Sequence, residues 1–229
     1  MQQHSTQRVI RSTLLTPIIV FLLSLVGPAV ILGFSLVLGG SQDYLSSRLY
    51  LFGTLGQALM DFPAIVMFAR GNGKWLGHKH DDVRSIGVGL ACAAVLAGVK
   101  VVVARRLVFM GGVPAFTQSL TLAWPWSMIS ATAAILAYGP GEAIYVVYFV
   151  TAFDAAFGNQ PRLMSAGVII TALLWGLSHS WNISFFGWGA LINALLMVGI
   201  GLTIGLLFKG TRSSFGPIIF WSLVNGTSA

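Results

Sequence analysis

Three polar side chains in the second half of the chain are of the types that hydrolytic chemistry uses. Glu142 is the only glutamate in the sequence, His179 is the only histidine within a long apolar run, and Asn225 lies near the C-terminus. A carboxylate beside an imidazole can deprotonate a water molecule for attack on a carbonyl. An asparagine amide can donate a hydrogen bond to the oxyanion that forms. These residue types therefore predict a hydrolytic site, provided that the fold brings them together.

Composition indicates what kind of fold must position them. The 229 residues are 56% hydrophobic and only 8% charged, whereas a soluble domain carries about 25% charged residues. The formal net charge is +7, but the basic residues lie at the ends of apolar runs, where membrane-interface anchors are found. We therefore predict an all-α, polytopic membrane protein without a nucleic-acid partner. The single Cys92 cannot form an internal disulfide.

Apolar segments of about 20 residues span a bilayer as helices, and their number predicts about eight transmembrane helices in one bundle. The chain is then a single domain, residues 1–229. The approximate spans are residues 13–39, 49–69, 85–104, 117–138, 140–157, two helices within 163–208, and 214–225. Eight spans place both termini on the same side of the membrane. Lysine and arginine are equally frequent on the two sides, and the longest basic loop favours a cytoplasmic N-terminus.

Successive spans run in opposite directions, and this alternation brings the three polar residues to one side. Glu142 lies near the start of the fifth predicted helix, His179 near the end of the sixth and Asn225 near the end of the eighth. An acid within a membrane helix is costly and is functional by default. The sequence "GPGE", residues 139–142, also fits a simpler interpretation, in which proline begins a helix and the acid lies at the positive end of its dipole.

A catalytic metal site is the main chemical alternative, and the spacing argues against it. Catalytic zinc usually has three protein ligands, whereas Glu142 and His179 supply two. Asp154 follows Glu142 by twelve residues on the same predicted helix, which places it about 18 Å away. We therefore predict no metal and no cofactor. Asp61 and Asp154 are interpreted as structural acids that pair with helix-packing donors or with each other.

The order of three short motifs resembles the CPBP intramembrane proteases, the family of CAAX prenyl endopeptidases and bacteriocin-processing proteins. That family carries EExxxR, FxxxH and HxxxN or HxxxD. Here the motifs read "GEAIYVV", "WGLSH" and "WSLVN", at residues 141–147, 175–179 and 221–225. The resemblance covers residues 138–229. The second glutamate, the arginine and the first histidine of the third motif are absent, and Trp221 stands at that histidine position.

The resemblance implies a metal-independent endopeptidase that cuts near a membrane surface. It implies that Glu142 activates water with His179, and that Asn225 supports the oxyanion. The implied partners are membrane lipid and a membrane-associated or prenylated peptide or protein. The missing motif residues leave a catalytically inactive membrane scaffold or partner-binding protein as an alternative. A small proton-coupled transporter, with Glu142 and His179 as a proton relay, is a third hypothesis.

Four further residues are predicted to support this site. One lies three residues after Glu142 and can hydrogen-bond it, and another lies three residues after His179 and can orient the imidazole or cap the helix end. The other two are tryptophans that begin the second and third motifs, and each offers one N–H donor. The four residues are Tyr145, Asn182, Trp175 and Trp221.

Overall fold

The computed structural model describes residues 14–27, 29, 30, 33, 37, 42–70, 79–103, 120–158, 163–179 and 188–226. Within these residues all regular secondary structure is helical, as predicted. The helices are α1 (Leu14–Gly27), α2 (Gln42–Arg70), α3 (Lys79–Val103), α4 (Trp126–Leu136), α5 (Glu142–Ala156), α6 (Ala166–His179), α7 (Trp188–Thr211) and α8 (Phe215–Gly226). A π-helical turn, Ala137–Gly141, joins α4 to α5.

The break predicted between the fourth and fifth spans is wrong, because α4, the π turn and α5 form one helical run from Trp126 to Ala156. Pro140 lies inside the π turn and not at a helix start. Proline has no N–H to donate to the preceding turn, and the chain widens locally instead of ending the helix. Glu142 therefore lies within a long helical segment. The interpretation of "GPGE" as a simple helix start is wrong for the same reason, and the count of eight separate spans is not supported.

The described part of the chain contains two helical segments that are long and apolar enough to span a bilayer, Trp126–Ala156 and Ala194–Thr211. The outer face of α6 is also apolar. Ile169, Leu173 and Leu177 follow one another at one-turn spacing and are 41%, 56% and 62% exposed. A continuous apolar stripe of this kind is unfavourable in water and favourable against lipid tails. The side on which the N-terminus lies stays a prediction.

The central helix of the bundle is α5. All six residues from Tyr145 to Val150 are buried, because α2, α6, α7 and α8 all pack against this helix. Phe149 stacks between neighbours, with its ring centroid 4.7 Å from that of Tyr145 and 5.9 Å from that of Phe153. A helix packed on all sides has little freedom to rotate or slide. The position of Glu142 at its first residue is therefore fixed by the core.

Asp154 joins three helix ends at the opposite end of α5. Its Oδ1 accepts the backbone N–H of Gly167 at 2.9 Å, at the start of α6. Its Oδ2 lies 2.6 Å from Lys209 Nζ, near the end of α7. Asp154 is thus the structural acid that the sequence predicted, and its partners are a backbone amide and Lys209. Breaking a buried pair of this kind is strongly destabilising.

Gly167 is a position at which α6 and α5 approach closely. A Cβ at this residue would contact the carbonyl oxygen of Val150 and the carboxylate of Asp154. We expect Gly167→Ala to lower the free energy of unfolding by about 1–3 kcal/mol, the usual cost of overpacking. Thermal unfolding in detergent measures this loss. Gly98→Ala on α3, where a Cβ has open space, is the matched control, and equal stability of the two variants would contradict the close packing.

Candidate active site

The π turn places Glu142 between α2 and α8. A Cβ on Gly139 would lie 2.6 Å from Ser222 Oγ of α8, and a Cβ on Gly141 would lie 2.8 Å from Asp61 Oδ2 of α2. Glycine at these two positions therefore allows both helices to approach the turn closely. Glu142, the next residue, is only 2% exposed. Single π turns inside α-helices occur frequently at functional sites.

Two N–H donors from α8 hold one oxygen of this carboxylate. Trp221 Nε1 donates to Glu142 Oε2, and Asn225 Nδ2 donates to the same oxygen at 3.3 Å. The two donors are four residues apart on α8 and so share one helix face. Within the described residues no cation pairs with Glu142. The carboxylate is held by hydrogen bonds alone, and bonds of this charge-assisted type favour its ionised form. Trp221 thus supplies a donor where the resembling family places a histidine.

The Asn225 amide also anchors the π turn. Its Nδ2 donates to the backbone carbonyl of Tyr138 as well as to Glu142. An amide nitrogen carries two hydrogens, so both are in use. The C-terminal part of α8 is thereby tied to the turn that carries the glutamate. An oxyanion can be bound by Asn225 only if one of these bonds is exchanged, and the longer bond to Glu142 is the one more easily given up. The oxyanion role of Asn225 stays a prediction.

His179 is the last residue of α6, and a backbone carbonyl fixes its tautomer. Its Nδ1 lies 2.8 Å from the carbonyl oxygen of Trp175. A carbonyl only accepts, so Nδ1 carries the hydrogen and donates. In the neutral imidazole this leaves Nε2 with a free lone pair. The ring is therefore oriented as an acceptor for a substrate, a water or another donor.

Glu142 and His179 lie at similar depth in the bundle. The hydrogen bond between Asp154 and Gly167 joins the end of α5 to the start of α6. Glu142 precedes Asp154 by twelve residues, and His179 follows Gly167 by twelve. At 1.5 Å per residue, each lies about 18 Å from this junction along its own helix. The two helices also pack against each other.

A chain of contacts through two indole rings links the imidazole to the carboxylate. The ring centroids of His179 and Trp175 are 5.3 Å apart, and those of Trp175 and Trp221 are 6.0 Å apart in an edge-to-face arrangement. Trp221 in turn donates to Glu142. No hydrogen bond joins Glu142 directly to His179 in the described part of the chain. The joint action of Glu142 and His179 stays a prediction.

The remaining predicted support residues have mixed outcomes. Tyr145 packs its ring against Trp175, with centroids 5.8 Å apart, but its hydroxyl makes no hydrogen bond to Glu142. It contributes to the site by holding an indole in place. Trp175 is fully buried, and none of the described residues hydrogen-bonds to its Nε1. Asn182 lies outside the described residues.

Asp61 is the site residue that sequence reasoning missed. It is 1% exposed, and its Oδ1 accepts a hydrogen bond from Gln57 Nε2 at 3.0 Å. Its Oδ2 is buried and has no partner in the described part of the chain, and it lies beside Gly141 and within electrostatic range of Glu142. The prediction that it is a satisfied structural acid is wrong for this second oxygen. An acid in an apolar run was the only available signal, because no spacing rule relates α2 to α5.

The described residues contain no group of three His, Cys, Asp or Glu side chains that could hold a metal ion. The prediction of metal-independent chemistry stays a prediction. What the described residues provide is a buried carboxylate with two N–H donors, an imidazole at similar depth and a second acid beside the π turn. A carboxylate, an imidazole acceptor and N–H donors are side-chain groups that can activate a water molecule.

Comparison with known protein families finds a match in the second half of the chain. Residues 121–227 match the family model for the type II CAAX prenyl endopeptidase Rce1-like proteins, and the resemblance drawn from the motifs is confirmed. This is a family of integral membrane endopeptidases. The matched region includes α4 to α8 and therefore Glu142, His179 and Asn225, whereas Asp61 precedes it. No curated protein and no solved structure matches the chain.

Proposed function

We propose that this protein, whose residues 121–227 match the CAAX prenyl endopeptidases, is an intramembrane endopeptidase in which Glu142 activates water. One observation carries the proposal. The carboxylate is buried, and both of its N–H donors, from Trp221 and Asn225, engage the same oxygen, Oε2. This arrangement stabilises the charge and leaves Oε1 to act as a base.

The proposed reaction is hydrolysis of a peptide bond. Glu142 Oε1 takes a proton from water as the water oxygen attacks the carbonyl carbon. The carbonyl oxygen becomes an oxyanion, to which Asn225 donates after it releases Oε2. The proton on Glu142 then passes to the leaving nitrogen as the C–N bond breaks. His179 Nε2 accepts a hydrogen bond from the attacking water and so orients it.

The proposed substrates are membrane-associated or prenylated peptides. The site lies within a bundle whose outer surface is apolar, so a lipid-modified peptide reaches it from the membrane without leaving an apolar environment. Prenyl groups are carried on a cysteine near the C-terminus of the modified protein. The family match supports this class of substrate.

A matched pair of peptides tests the proposal. The purified protein in liposomes is incubated with a peptide that ends in a prenylated cysteine plus three residues, and with the same peptide without the prenyl group. Mass spectrometry of the products detects cleavage. We expect cleavage of the prenylated peptide and slower or no cleavage of the other. Failure to cleave either peptide, with the prenylated one still bound, would favour the inactive scaffold.

That scaffold is the second candidate function. The observation in its favour is the absence of the family's second glutamate and arginine from the first motif, in which Val146 and Val147 stand near the arginine position. A partner-binding protein needs a surface that binds its partner, but it does not need Glu142 as a general base. It therefore binds substrate equally well as wild type and as Glu142→Gln, and it cleaves in neither form.

Trp221→Phe tests the hydrogen bond to Glu142 without removing the aromatic ring. Phenylalanine keeps much of the packing against Trp175 but lacks the indole N–H. We expect a decrease in kcat of roughly 10- to 100-fold, because a hydrogen bond to a charged group contributes about 1.5–3 kcal/mol. Steady-state cleavage of the prenylated peptide measures it. Trp126→Phe, at an indole that is 64% exposed on α4, is the control, and equal kcat values for the two variants would contradict the role of Trp221.

A further inference from the structure

Asp61 has a buried oxygen, Oδ2, that takes no part in the proposed reaction as described above. Oδ1 accepts from Gln57, but Oδ2 is buried and has no hydrogen-bond partner among the residues that the structure describes. Buried polar atoms are nearly always hydrogen-bonded to protein or to ordered water. Oδ2 lies beside Gly141, the residue that directly precedes Glu142. An unpartnered oxygen at this place points to a water molecule or a substrate group between α2 and the π turn.

The hydrogen bonds indicate which of the two acids carries the negative charge. Two carboxyl groups in close electrostatic contact, away from solvent, do not both ionise. Glu142 receives indole and amide N–H donors on Oε2, and these stabilise an anion. Asp61 receives one amide donor, from Gln57, on Oδ1. The charge therefore resides on Glu142. The Asp61 oxygen that accepts from Gln57 is then the carbonyl oxygen, and the proton sits on Oδ2.

We infer that Asp61 is a neutral carboxylic acid whose Oδ2–H holds the attacking water in place for Glu142. A water between the two groups accepts a hydrogen bond from Asp61 Oδ2 and donates one to Glu142 Oε1. Asp61 keeps its own proton throughout, and the proton that moves is that of the water. Asp61 is thus a positioning residue. This inference rests on the proposed function, and it adds a residue that lies outside the family match at 121–227.

Two substitutions separate this role from the others that an acid can have. Asp61→Asn keeps both the acceptor for Gln57 and an N–H donor in place of Oδ2–H. Asp61→Leu has a similar volume and no polar group. We expect Asp61→Asn to keep kcat within about threefold of wild type, less than the loss of one hydrogen bond. We expect Asp61→Leu to lower kcat by roughly 10- to 100-fold, as for a misplaced reactant, with little change in KM.

Thermal stability separates the positioning role from a merely structural role of Asp61, because loss of a structural acid lowers the unfolding temperature. Asp61→Leu alone would leave the Gln57 amide without its acceptor, so it is combined with Gln57→Leu, because replacing both partners of a hydrogen bond by apolar groups is nearly neutral or stabilising. We therefore expect this double variant to unfold at the same temperature as wild type or higher, although it is less active. Asp154→Asn is the matched control for a structural acid, because it breaks the pair with Lys209. It should lose stability and keep kcat in the fraction that remains folded.

Infrared spectroscopy tests the neutral acid independently of activity. A protonated carboxyl group has a C=O stretch separate from that of a carboxylate. We expect this band in wild type and in Glu142→Gln, and its loss in Asp61→Asn. If the band is present but wild type does not cleave, the proposed function fails while the assignment of the proton to Asp61 stands. Absence of the band, full activity of Asp61→Leu, or a loss in Asp61→Asn as large as in Asp61→Leu would each overturn the inference.

Discussion

Glu142→Gln is expected to abolish peptide cleavage, with a decrease in kcat on the order of 10⁴-fold, the upper range for loss of a general base. An amide nitrogen cannot take a proton from water, so the first step has no acceptor. Glutamine has the same size, and its carbonyl oxygen can still accept from Trp221 and Asn225, the two donors to Oε2. The geometry of the π turn is therefore kept. Cleavage of the prenylated peptide in liposomes measures the effect.

The control for this variant is substrate binding. Glutamine at position 142 has the size of glutamate and accepts the same two hydrogen bonds, so the dissociation constant for the prenylated peptide should stay within a few-fold of that of wild type. The thermal unfolding temperature should also be retained. A variant that binds, stays folded and still cleaves at the wild-type rate would exclude Glu142 from the chemistry.

His179→Ala is expected to have the second largest effect, a decrease in kcat on the order of 10²-fold or more. The Nδ1–H bond to the Trp175 carbonyl leaves Nε2 as the acceptor, and alanine removes that acceptor. The proposed attacking water then loses one of the groups that orient it. Single-turnover cleavage, with enzyme in excess over the peptide, measures the loss without interference from product release.

Ser178→Ala is the matched control for His179. Ser178 neighbours the histidine at the same helix end, and its hydroxyl donates to the same Trp175 carbonyl at 2.7 Å. Alanine at 178 therefore perturbs the local hydrogen bonding but keeps the imidazole. We expect its kcat to remain close to that of wild type. If both variants lose the same activity, the effect comes from the end of α6 and not from the imidazole.

The general class of the fold and the proximity of Glu142 and Asn225 could be predicted from sequence, because composition and the alternating direction of the spans indicate them. A composition with 8% charged residues leaves few alternatives to a helical membrane bundle. A lone glutamate in such a bundle indicates a functional residue, because burying an acid is costly. The structure brings Glu142 into contact with Asn225, 83 positions later in the sequence.

The predicted break before Glu142 was wrong because proline and glycine can either end a membrane helix or lie within a locally widened turn of it. "GPG", residues 139–141, ordinarily ends one helix and begins the next. Here the helix continues through a π turn, and the glycines instead admit Asp61 and Ser222 close to the backbone. Local sequence does not reveal which neighbouring helix will fill that space.

Asp61 was not predicted as a site residue because its importance depends on packing between helices distant in sequence. It precedes Glu142 by 81 positions, on a helix whose sequence carries no motif of the resembling family. Asp154 has the same chemistry and also lies in an apolar run, but it forms a pair with Lys209. Only the contacts distinguish Asp154, which joins helix ends, from Asp61, whose Oδ2 has no partner among the described residues.

The central claim is that water, activated by Glu142, attacks the peptide carbonyl directly. Its most direct test is a single turnover in ¹⁸O-labelled water with wild-type protein in excess over the prenylated peptide, followed by mass spectrometry of the product and of the digested protein. Direct attack places one ¹⁸O atom in the new carboxylate of the product and none in Glu142. Appearance of the label in the Glu142 side chain, which requires a covalent acyl intermediate, or absence of any cleavage would contradict the claim.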